Sequence, residues 1–189
     1  MILVGRSFSS GGPRISLLPE RREGSMRIRI VTPVIVALTL LAASPARAQR
    51  AVFLVRHAEK ADSSTDAPLS ASGEARAAAL AAMLRDAGVT AIYATEFQRT
   101  KKTAVPLADR LKLQVTTIAA ADQTVLVTRV KQAGPDAAVL IVGHSNTIPA
   151  ILTALGCTAS IRIADDEYDN LFVVVPKEQG APVLLRLRY

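Results

Sequence analysis

Short apolar runs alternate along most of the chain with longer segments of helical pattern. The first run, residues 51–55, has the length and unbroken apolar character of a strand covered on both faces. A helix is predicted from Ser70, a favourable N-cap residue, to Ala87, because the segment is rich in Ala, Leu, Glu and Arg and is followed by Gly88. The same criteria predict further strands at 91–94, 113–118, 137–142, 171–175 and 183–187, and further helices at 99–111, 124–133 and 148–155.

This alternation of strand and helix is typical of α/β proteins. It predicts a three-layer α/β/α domain with a mainly parallel central sheet. The last two apolar runs differ, because only a polar turn at 177–180 separates them, and they predict a closing pair of strands. Half of the 189 residues are apolar, which provides one well-filled core rather than two.

The basic charge of the chain is concentrated near its N-terminus. The formal net charge is +7, but seven of the 23 Lys and Arg and only two of the 16 acidic residues precede Gln49. The remainder has 16 basic and 14 acidic residues, a net charge of +2. Since a nearly neutral body with 4% aromatic residues offers neither a basic groove nor stacking platforms, we expect no nucleic-acid partner.

Residues 26–48 have the three parts of a signal peptide: a basic start at 26–29, an apolar run at 30–43 and the small-x-small triplet at 46–48. We therefore predict cleavage before Gln49, a domain at 49–189, a periplasmic or secreted location, and no membrane association after cleavage. A membrane anchor is the alternative, but the apolar run is shorter than the ~20 residues that span a bilayer. Residues 1–25 have no apolar period and are predicted to be a disordered start-site extension.

The only two histidines of the chain follow two of the predicted strands. His57 comes directly after the first strand, and His144 after the strand at 137–142. Ligands of open α/β sheets bind beyond the carboxyl ends of the strands. A single histidine is usually a satisfied polar residue, but two at equivalent strand ends indicate a functional site.

Three segments resemble the motifs of the histidine phosphatase superfamily. Arg56-His57 resembles its Arg-His-Gly signature, residues 95–104 resemble its second-arginine segment, and 143–145 resemble the surroundings of its second histidine. The motifs occur in the family's order, and the compact size is similar to the small phosphohistidine-phosphatase branch. The resemblance implies a phosphoglycerate mutase-like fold and a phosphatase for a small phosphorylated substrate or a phosphoprotein.

The resemblance also implies the roles of four residues. His57 would be the nucleophile that is transiently phosphorylated, and His144 a second catalytic group across the phosphate. Arg56 and Arg99 would bind the phosphate, since forked guanidinium donors match its geometry and stabilise the charge of the transition state. The backbone amides of Ser145 and Asn146 would assist if a helix N-terminus faces the site. No cofactor or metal is expected.

Two positions depart from the family pattern. Ala58 replaces the usual glycine after the nucleophile, which is acceptable if its φ is negative. No strong proton donor for the leaving group is evident: Asp122 and Glu59 are the candidates, and Glu59 has Lys60 beside it as an ion-pair partner. Without such an acid the enzyme would favour good leaving groups, such as phosphoramidates or aryl and acyl phosphates. The alternative is an exported binding protein that holds a phosphorylated ligand without hydrolysing it.

Metal binding is the less favoured interpretation of these residues. Asp62 or Asp166 would complete a site with the two histidines, but their spacing is not that of a compact metal site and two arginines would repel a cation. The acidic segment 165–169 has the composition of a calcium site, yet a solvated loop before the next strand explains it more simply.

Overall fold

The computed structural model describes residues 51–134 and 136–189, so the predicted leader and start-site extension lie outside the described residues. The described chain forms six strands: β1 Val52–Arg56, β2 Val89–Ala94, β3 Val115–Thr117, β4 Ala138–Gly143, β5 Asn170–Val175 and β6 Val183–Arg188. It also forms four helices: α1 Ala71–Leu84, α2 Gln98–Leu111, α3 Gln123–Gln132 and α4 Thr147–Ala154.

The six strands form one sheet in the order β3-β2-β4-β1-β5-β6. Strands β3, β2, β4 and β1 are mutually parallel, whereas β5 and β6 are antiparallel to their neighbours. The prediction of a mainly parallel sheet with a closing antiparallel pair is therefore confirmed. Strand β4 lies between β2 and β1, and all six of its residues are buried, as its continuous apolar sequence requires.

Alternate residues of the central strands pack into two separate apolar cores. Leu54, Ile141 and Phe172 face the core formed with helices α3 and α4. Val55 and Leu140 face the opposite core, which is formed with α1 and α2. The sheet is thus covered on both faces, and the predicted three-layer architecture is confirmed. Within the described ranges, no helix is both long and apolar enough to cross a membrane.

Two predicted elements are shorter than expected. Helix α1 ends at Leu84 rather than Ala87, because the Ala87 amide turns back to the Leu84 carbonyl and Gly88 adopts a φ of 68°. Strand β3 starts at Val115 rather than Leu113, because the Leu113 amide donates to the Ala108 carbonyl and closes the end of α2. In both cases the helix terminus sets the boundary.

The start of α1 is fixed against the loop that follows β1. Ser70 is the N-cap as predicted, and its Oγ accepts a hydrogen bond from the Gly73 amide at 3.1 Å. The Ser70 amide donates to the Glu59 carbonyl at 2.9 Å. A Cβ on Gly73 would lie 2.3 Å from that same carbonyl oxygen, so only glycine permits this close approach. The loop carrying His57 is therefore held by the helix behind it.

Candidate active site

Three neighbouring strands end at one level of the sheet and deliver the central residues of the site. In the parallel register, Arg56 of β1 is opposite Gly143 of β4, and Ala94 of β2 is opposite Val142. The residues that follow these strands are His57, His144 and Thr95, so the sheet places them side by side. The two histidine rings lie with centroids 5.3 Å apart and an interplanar angle of 64°.

His57 is held in one orientation and one tautomer by backbone groups. Its amide donates to the Gly143 carbonyl at 2.9 Å, and its Nδ1 lies 2.8 Å from the Ala58 carbonyl oxygen. A carbonyl only accepts, so Nδ1 carries the ring proton and Nε2 keeps its lone pair. Burial, followed by the charges of nearby groups, lowers the pKa of His57 to about 3, although the hydrogen bond to Ala58 opposes this. At neutral pH the ring of His57 is therefore uncharged, and its Nε2 is a base with a free lone pair.

The loop after His57 is fixed on its other side by helix α2. The Ala58 amide donates to Thr103 Oγ1 at 2.9 Å, and the same hydroxyl donates to the Arg99 carbonyl at 2.7 Å. Among the described non-glycine residues only Lys112 has a positive φ, so Ala58 meets the condition under which it can replace glycine. Its methyl group is fully buried in a small cluster with Leu69 and Ala77.

His144 is anchored through both its backbone and its ring. Its amide donates to Thr147 Oγ1 at 2.9 Å, and its Nε2 lies 2.9 Å from Thr95 Oγ1. A Cβ on Gly143 would lie 2.9 Å from the same Thr147 oxygen, so glycine before His144 makes room for this contact. Burial first, and then the charge of Arg99, lower the pKa of His144 to about 4, while Glu96 raises it.

Arg56 is buried beneath the site, with 6% of its surface exposed. Its Nη1 donates to the carbonyls of Ala164 at 2.8 Å and Asp165 at 2.9 Å, and its guanidinium carbon lies 4.2 Å from the centroid of Tyr168. Its Nε is buried and has no hydrogen-bond partner. One branch of the guanidinium therefore anchors a distant loop, and the Nε–H makes no hydrogen bond within the described residues.

Arg99 lies in the first turn of α2, beside the histidines. Its Nη1 donates to the Thr65 carbonyl at 2.8 Å, and its guanidinium carbon lies 4.3 Å from the centroid of the Phe97 ring. Its Nε is also buried without a partner. Only four buried side-chain atoms of the described residues lack a partner, and two of them are the Nε atoms of the two predicted phosphate-binding arginines.

His57, Arg99 and His144 border an open cleft of about 420 Å³ at the carboxyl edge of the sheet, whereas Arg56 is buried and is not among its lining residues. The side chains or backbone of His57, Phe97, Arg99, Ala120, His144, Ser145, Asn146 and Thr147 line it. Helix α4 starts at this cleft, and its first amides at Thr147 and Ile148 donate to the His144 carbonyl. Ser145 and Asn146 line the cleft, and their amides have no acceptor among the described residues.

The carboxylic acids considered as proton donors do not line this cleft. Glu59 forms an ion pair with Arg76, whose Nη2 and Nε donate to Oε1 at 2.7 Å and 2.8 Å, instead of the pair with Lys60 suggested by sequence. Asp122 precedes helix α3, and Ala120 is the residue of that segment that reaches the cleft. Glu96 influences His144 electrostatically, but its Oε2 accepts the Ala120 amide at 2.8 Å and its side chain is exposed. No carboxylate belongs to the described lining of the cleft.

Four residues of the site were not identified from the sequence. Phe97 packs its ring 5.3 Å from that of His144, and the ring of Tyr168 lies 6.1 Å from that of His57. Thr95 contacts the ring of His144, and Thr103 accepts a hydrogen bond from the loop after His57. Thr95, Phe97 and Thr103 lie inside the second-arginine segment, so the resemblance of that segment could have indicated that they belong to the site. Tyr168 comes from a loop more than a hundred residues beyond His57 and gave no local signal.

The acidic segment before β5 pairs with arginines. Glu167 accepts the Ala164 amide at 2.9 Å and forms ion pairs with Arg186 and Arg188. Three carbonyl oxygens of the segment 164–167 accept hydrogen bonds from Arg56. Within residues 51–134 and 136–189, no three His, Cys, Asp or Glu side chains form a cluster that would hold a metal ion.

Solved structures of phosphatases share this fold. The mycobacterial glucosyl-3-phosphoglycerate phosphatase aligns with 74% of this chain and 98% of its own, at a TM-score of 0.59 and 16% identity. The protein histidine phosphatase SixA, solved with tungstate, aligns with 73% and 96%, at a TM-score of 0.57 and 18% identity. A candidate α-ribazole-5′-P phosphatase from Escherichia coli K-12 aligns with 75% and 97%, at a TM-score of 0.62 and 14% identity. The predicted phosphoglycerate mutase-like fold is thereby confirmed.

The sequence itself also matches a known family. No curated protein sequence matches the chain. The sequence model of the histidine phosphatase superfamily (branch 1), however, matches residues 52–123, from β1 to the first residue of α3. This stretch includes Arg56, His57 and Arg99, and His144 follows on the neighbouring strand. Over this stretch the chain is similar in sequence to the histidine phosphatase superfamily.

Proposed function

We propose that this protein is a metal-independent phosphatase that hydrolyses a phosphomonoester or phosphoramidate through a phosphohistidine on His57. The observation that carries the proposal is the pair of buried, unpartnered Nε–H groups of Arg56 and Arg99 beside the free Nε2 of His57. Two cationic donors without acceptors favour an anionic ligand, and the unprotonated nitrogen of His57 is the nucleophile of the proposed reaction.

The first chemical step uses His57. Its Nε2 lone pair attacks phosphorus in line, the bond to the leaving group breaks, and the electron pair departs with that group. The Nδ1–H bond to the Ala58 carbonyl keeps the ring oriented and stabilises the positive charge that develops on the imidazole. Water then attacks the phosphohistidine, and the P–N bond breaks with its electron pair returning to Nε2.

Charge stabilisation comes from fixed donors. The guanidinium groups of Arg56 and Arg99, with the free amides of Ser145 and Asn146, replace water around the equatorial oxygens. These arginines are held by the carbonyls of Ala164, Asp165 and Thr65, so they need little reorganisation when substrate binds. Fixed cationic donors of this kind supply the charge that a divalent metal supplies in other phosphatases, which is why we expect activity without a metal.

The oxyanion complexes of structural neighbours support binding of a phosphoryl group at such a site. SixA was solved with tungstate, and the mycobacterial glucosyl-3-phosphoglycerate phosphatase with inorganic phosphate and with VO3. Their names include a sugar-phosphate phosphatase and a protein histidine phosphatase, so both a small phosphomonoester and a phosphoprotein are candidate substrates. The cleft without a carboxylate favours substrates whose leaving group needs little protonation.

The decisive experiment is to trap the intermediate. The purified protein is mixed with a labelled aryl phosphate in the presence of a chelator and quenched without acid. We expect turnover, and a label that is stable to alkali, labile to acid and located on the peptide containing His57. His57→Ala should lose both label and turnover, whereas Lys102→Ala, an exposed change on α2, should lose neither.

Three results would contradict the proposal in different ways. Label on His144 would exchange the roles of the two histidines. Saturable binding of phosphate without any turnover would favour the alternative function, a binding protein for a phosphorylated ligand, for which the missing carboxylate is the specific observation. Activity that disappears with chelator and returns with a divalent ion would refute metal independence.

A further inference from the structure

A chain of hydroxyl groups runs behind His144, away from the cleft. Thr95 Oγ1 lies 2.9 Å from His144 Nε2 and 2.9 Å from Thr100 Oγ1. Thr100 Oγ1 in turn lies 2.7 Å from the Phe97 carbonyl oxygen and 3.1 Å from the Thr95 carbonyl oxygen. Thr95 and Thr100 are buried, so water does not replace these contacts.

The carbonyl oxygens at the end of this chain determine where each hydrogen lies. A carbonyl only accepts, so Thr100 donates its single hydroxyl hydrogen to Phe97, the shortest of its contacts. Thr95 must then donate its own hydrogen to Thr100 Oγ1. Because the Thr95 hydrogen is used, His144 has to donate to Thr95 Oγ1. The ring proton of neutral His144 is therefore on Nε2.

The opposite arrangement leaves a buried polar contact unsatisfied. If Thr95 donated to Nε2, the single hydrogen of Thr100 would have to serve both Thr95 Oγ1 and the Phe97 carbonyl. Two oxygens would then face each other without a hydrogen, either Thr100 Oγ1 and the Phe97 carbonyl at 2.7 Å or the two hydroxyl oxygens at 2.9 Å. The lone pairs of two oxygens at such a distance repel each other when no hydrogen lies between them, so the first arrangement is preferred.

The two histidines thus have opposite tautomers. His57 carries its proton on Nδ1 and His144 on Nε2. His144 Nδ1 has no partner among the described residues and is not one of the buried unpartnered atoms, so it is open to the cleft that His144 lines. Each ring therefore directs an unprotonated nitrogen toward bound substrate.

We propose that Thr95, supported by Thr100, is a positioning residue that keeps the ring proton of His144 on Nε2, so that any second proton is taken up on Nδ1 at the phosphoryl group. This inference rests on the proposed function, since it assigns the direction of a proton at the same site. Thr95 has no role in substrate contact and acts through His144.

Binding of a phosphate dianion should draw this second proton onto the ring. An unprotonated Nδ1 repels a phosphate oxygen, whereas the imidazolium donates a hydrogen bond to it. The charged groups around His144 are Arg99, Arg56 and Glu96, with neutral His57 beside it. The arginines oppose protonation in the empty cleft, and a dianion neutralises them. Proton uptake is therefore coupled to oxyanion binding.

The position of the ring proton can be measured directly. In protein labelled with nitrogen-15 at histidine, an unprotonated ring nitrogen resonates far downfield of a protonated one, and His57→Gln assigns the two residues of the chain. We expect Nδ1 to be unprotonated in His144 and Nε2 in His57 near neutral pH. A proton on Nδ1 of wild-type His144 would overturn the proposal without any variant at Thr95.

Variants then test the role of Thr95. Thr95→Val keeps the shape but removes the acceptor, so the His144 tautomer should become mixed and kcat should fall about 10- to 100-fold, as for other outer partners that fix a histidine. Thr95→Ser should restore both the tautomer and most of the activity. Thr128→Val, which removes an exposed helical hydroxyl, should change neither. A loss of kcat in Thr95→Val with an unchanged tautomer would indicate a merely structural role and refute the inference.

Proton uptake separates this proposal from the proposed function. Calorimetry of inorganic phosphate binding, in buffers of different ionisation enthalpy, should show proton uptake by the wild type and less by Thr95→Val. Phosphate binding without proton uptake would refute the inference and leave the phosphatase intact. A protein that binds no phosphate and turns over no substrate would refute the proposed function, while the nitrogen-15 spectrum would still decide the tautomer.

Discussion

The burial of two neutral histidines predicts a specific loss of stability in mild acid. The pKa of His57 is lowered to about 3 and that of His144 to about 4, in both cases mainly by desolvation. In the unfolded chain both should titrate near 6.5. Between these values the unfolded state binds protons that the folded state does not, so the free energy of unfolding falls as the pH falls below 6.5.

The size of the effect follows from the distance to the unfolded pKa. At pH 5 each histidine lies ~1.5 units below that value, which corresponds to about 2 kcal/mol per residue, or roughly 4 kcal/mol for both. A typical domain has about 5–15 kcal/mol in total, so the loss is easily measured. A loss of stability between pH 5 and pH 6.5 can be assigned to the histidines, because the chain has only two. Carboxyl groups with lowered pKa values, such as Glu59 and Glu167, lose their contribution to stability only below pH ~4.5.

The assay is urea unfolding at constant ionic strength between pH 5 and pH 7. The wild-type free energy of unfolding should decrease over this range with a slope approaching two protons. The double variant His57→Gln/His144→Gln keeps polar side chains but no titrating ring, and its stability should be nearly constant. An equal slope in the double variant would show that other groups cause the loss, and a flat wild-type profile would show that the rings are solvated in solution.

Three further predictions concern single positions. Gly73→Ala places a methyl group against the Glu59 backbone carbonyl, so the free energy of unfolding should decrease by about 1–3 kcal/mol in urea titrations; unchanged stability would mean that the loop after β1 can move. Arg99→Ala removes a fixed cation from the cleft and should cost about 2–4 kcal/mol in kcat/KM, with Lys102→Ala as the control; equal effects of the two changes would exclude a specific role for Arg99. Expressed from Met26, the protein should be exported with its N-terminus at or near Gln49, which mass spectrometry of the isolated chain can establish; an intact leader in a membrane fraction would indicate an anchor instead.

Much of the fold was evident in the sequence because local rules determine it. Apolar runs of strand length, the Ser70 cap and the glycine after the first helix are short-range signals, and each predicted element exists in the structure. The positions of His57 and His144 at the ends of strands could also be predicted from the residues next to them in the sequence. Since parallel strands present their carboxyl ends on one edge, these facts were sufficient to place both histidines at a common site.

What only the tertiary structure decided depends on contacts between distant parts of the chain. The sheet order puts β4 between β1 and β2, which brings Thr95 to the ring of His144. Folding likewise pairs Glu59 with Arg76 and brings Tyr168 over Arg56, more than a hundred residues away. The proton positions on the two histidines follow from these partners, because a tautomer is set by what each nitrogen meets in space and leaves no trace in the order of residues along the chain.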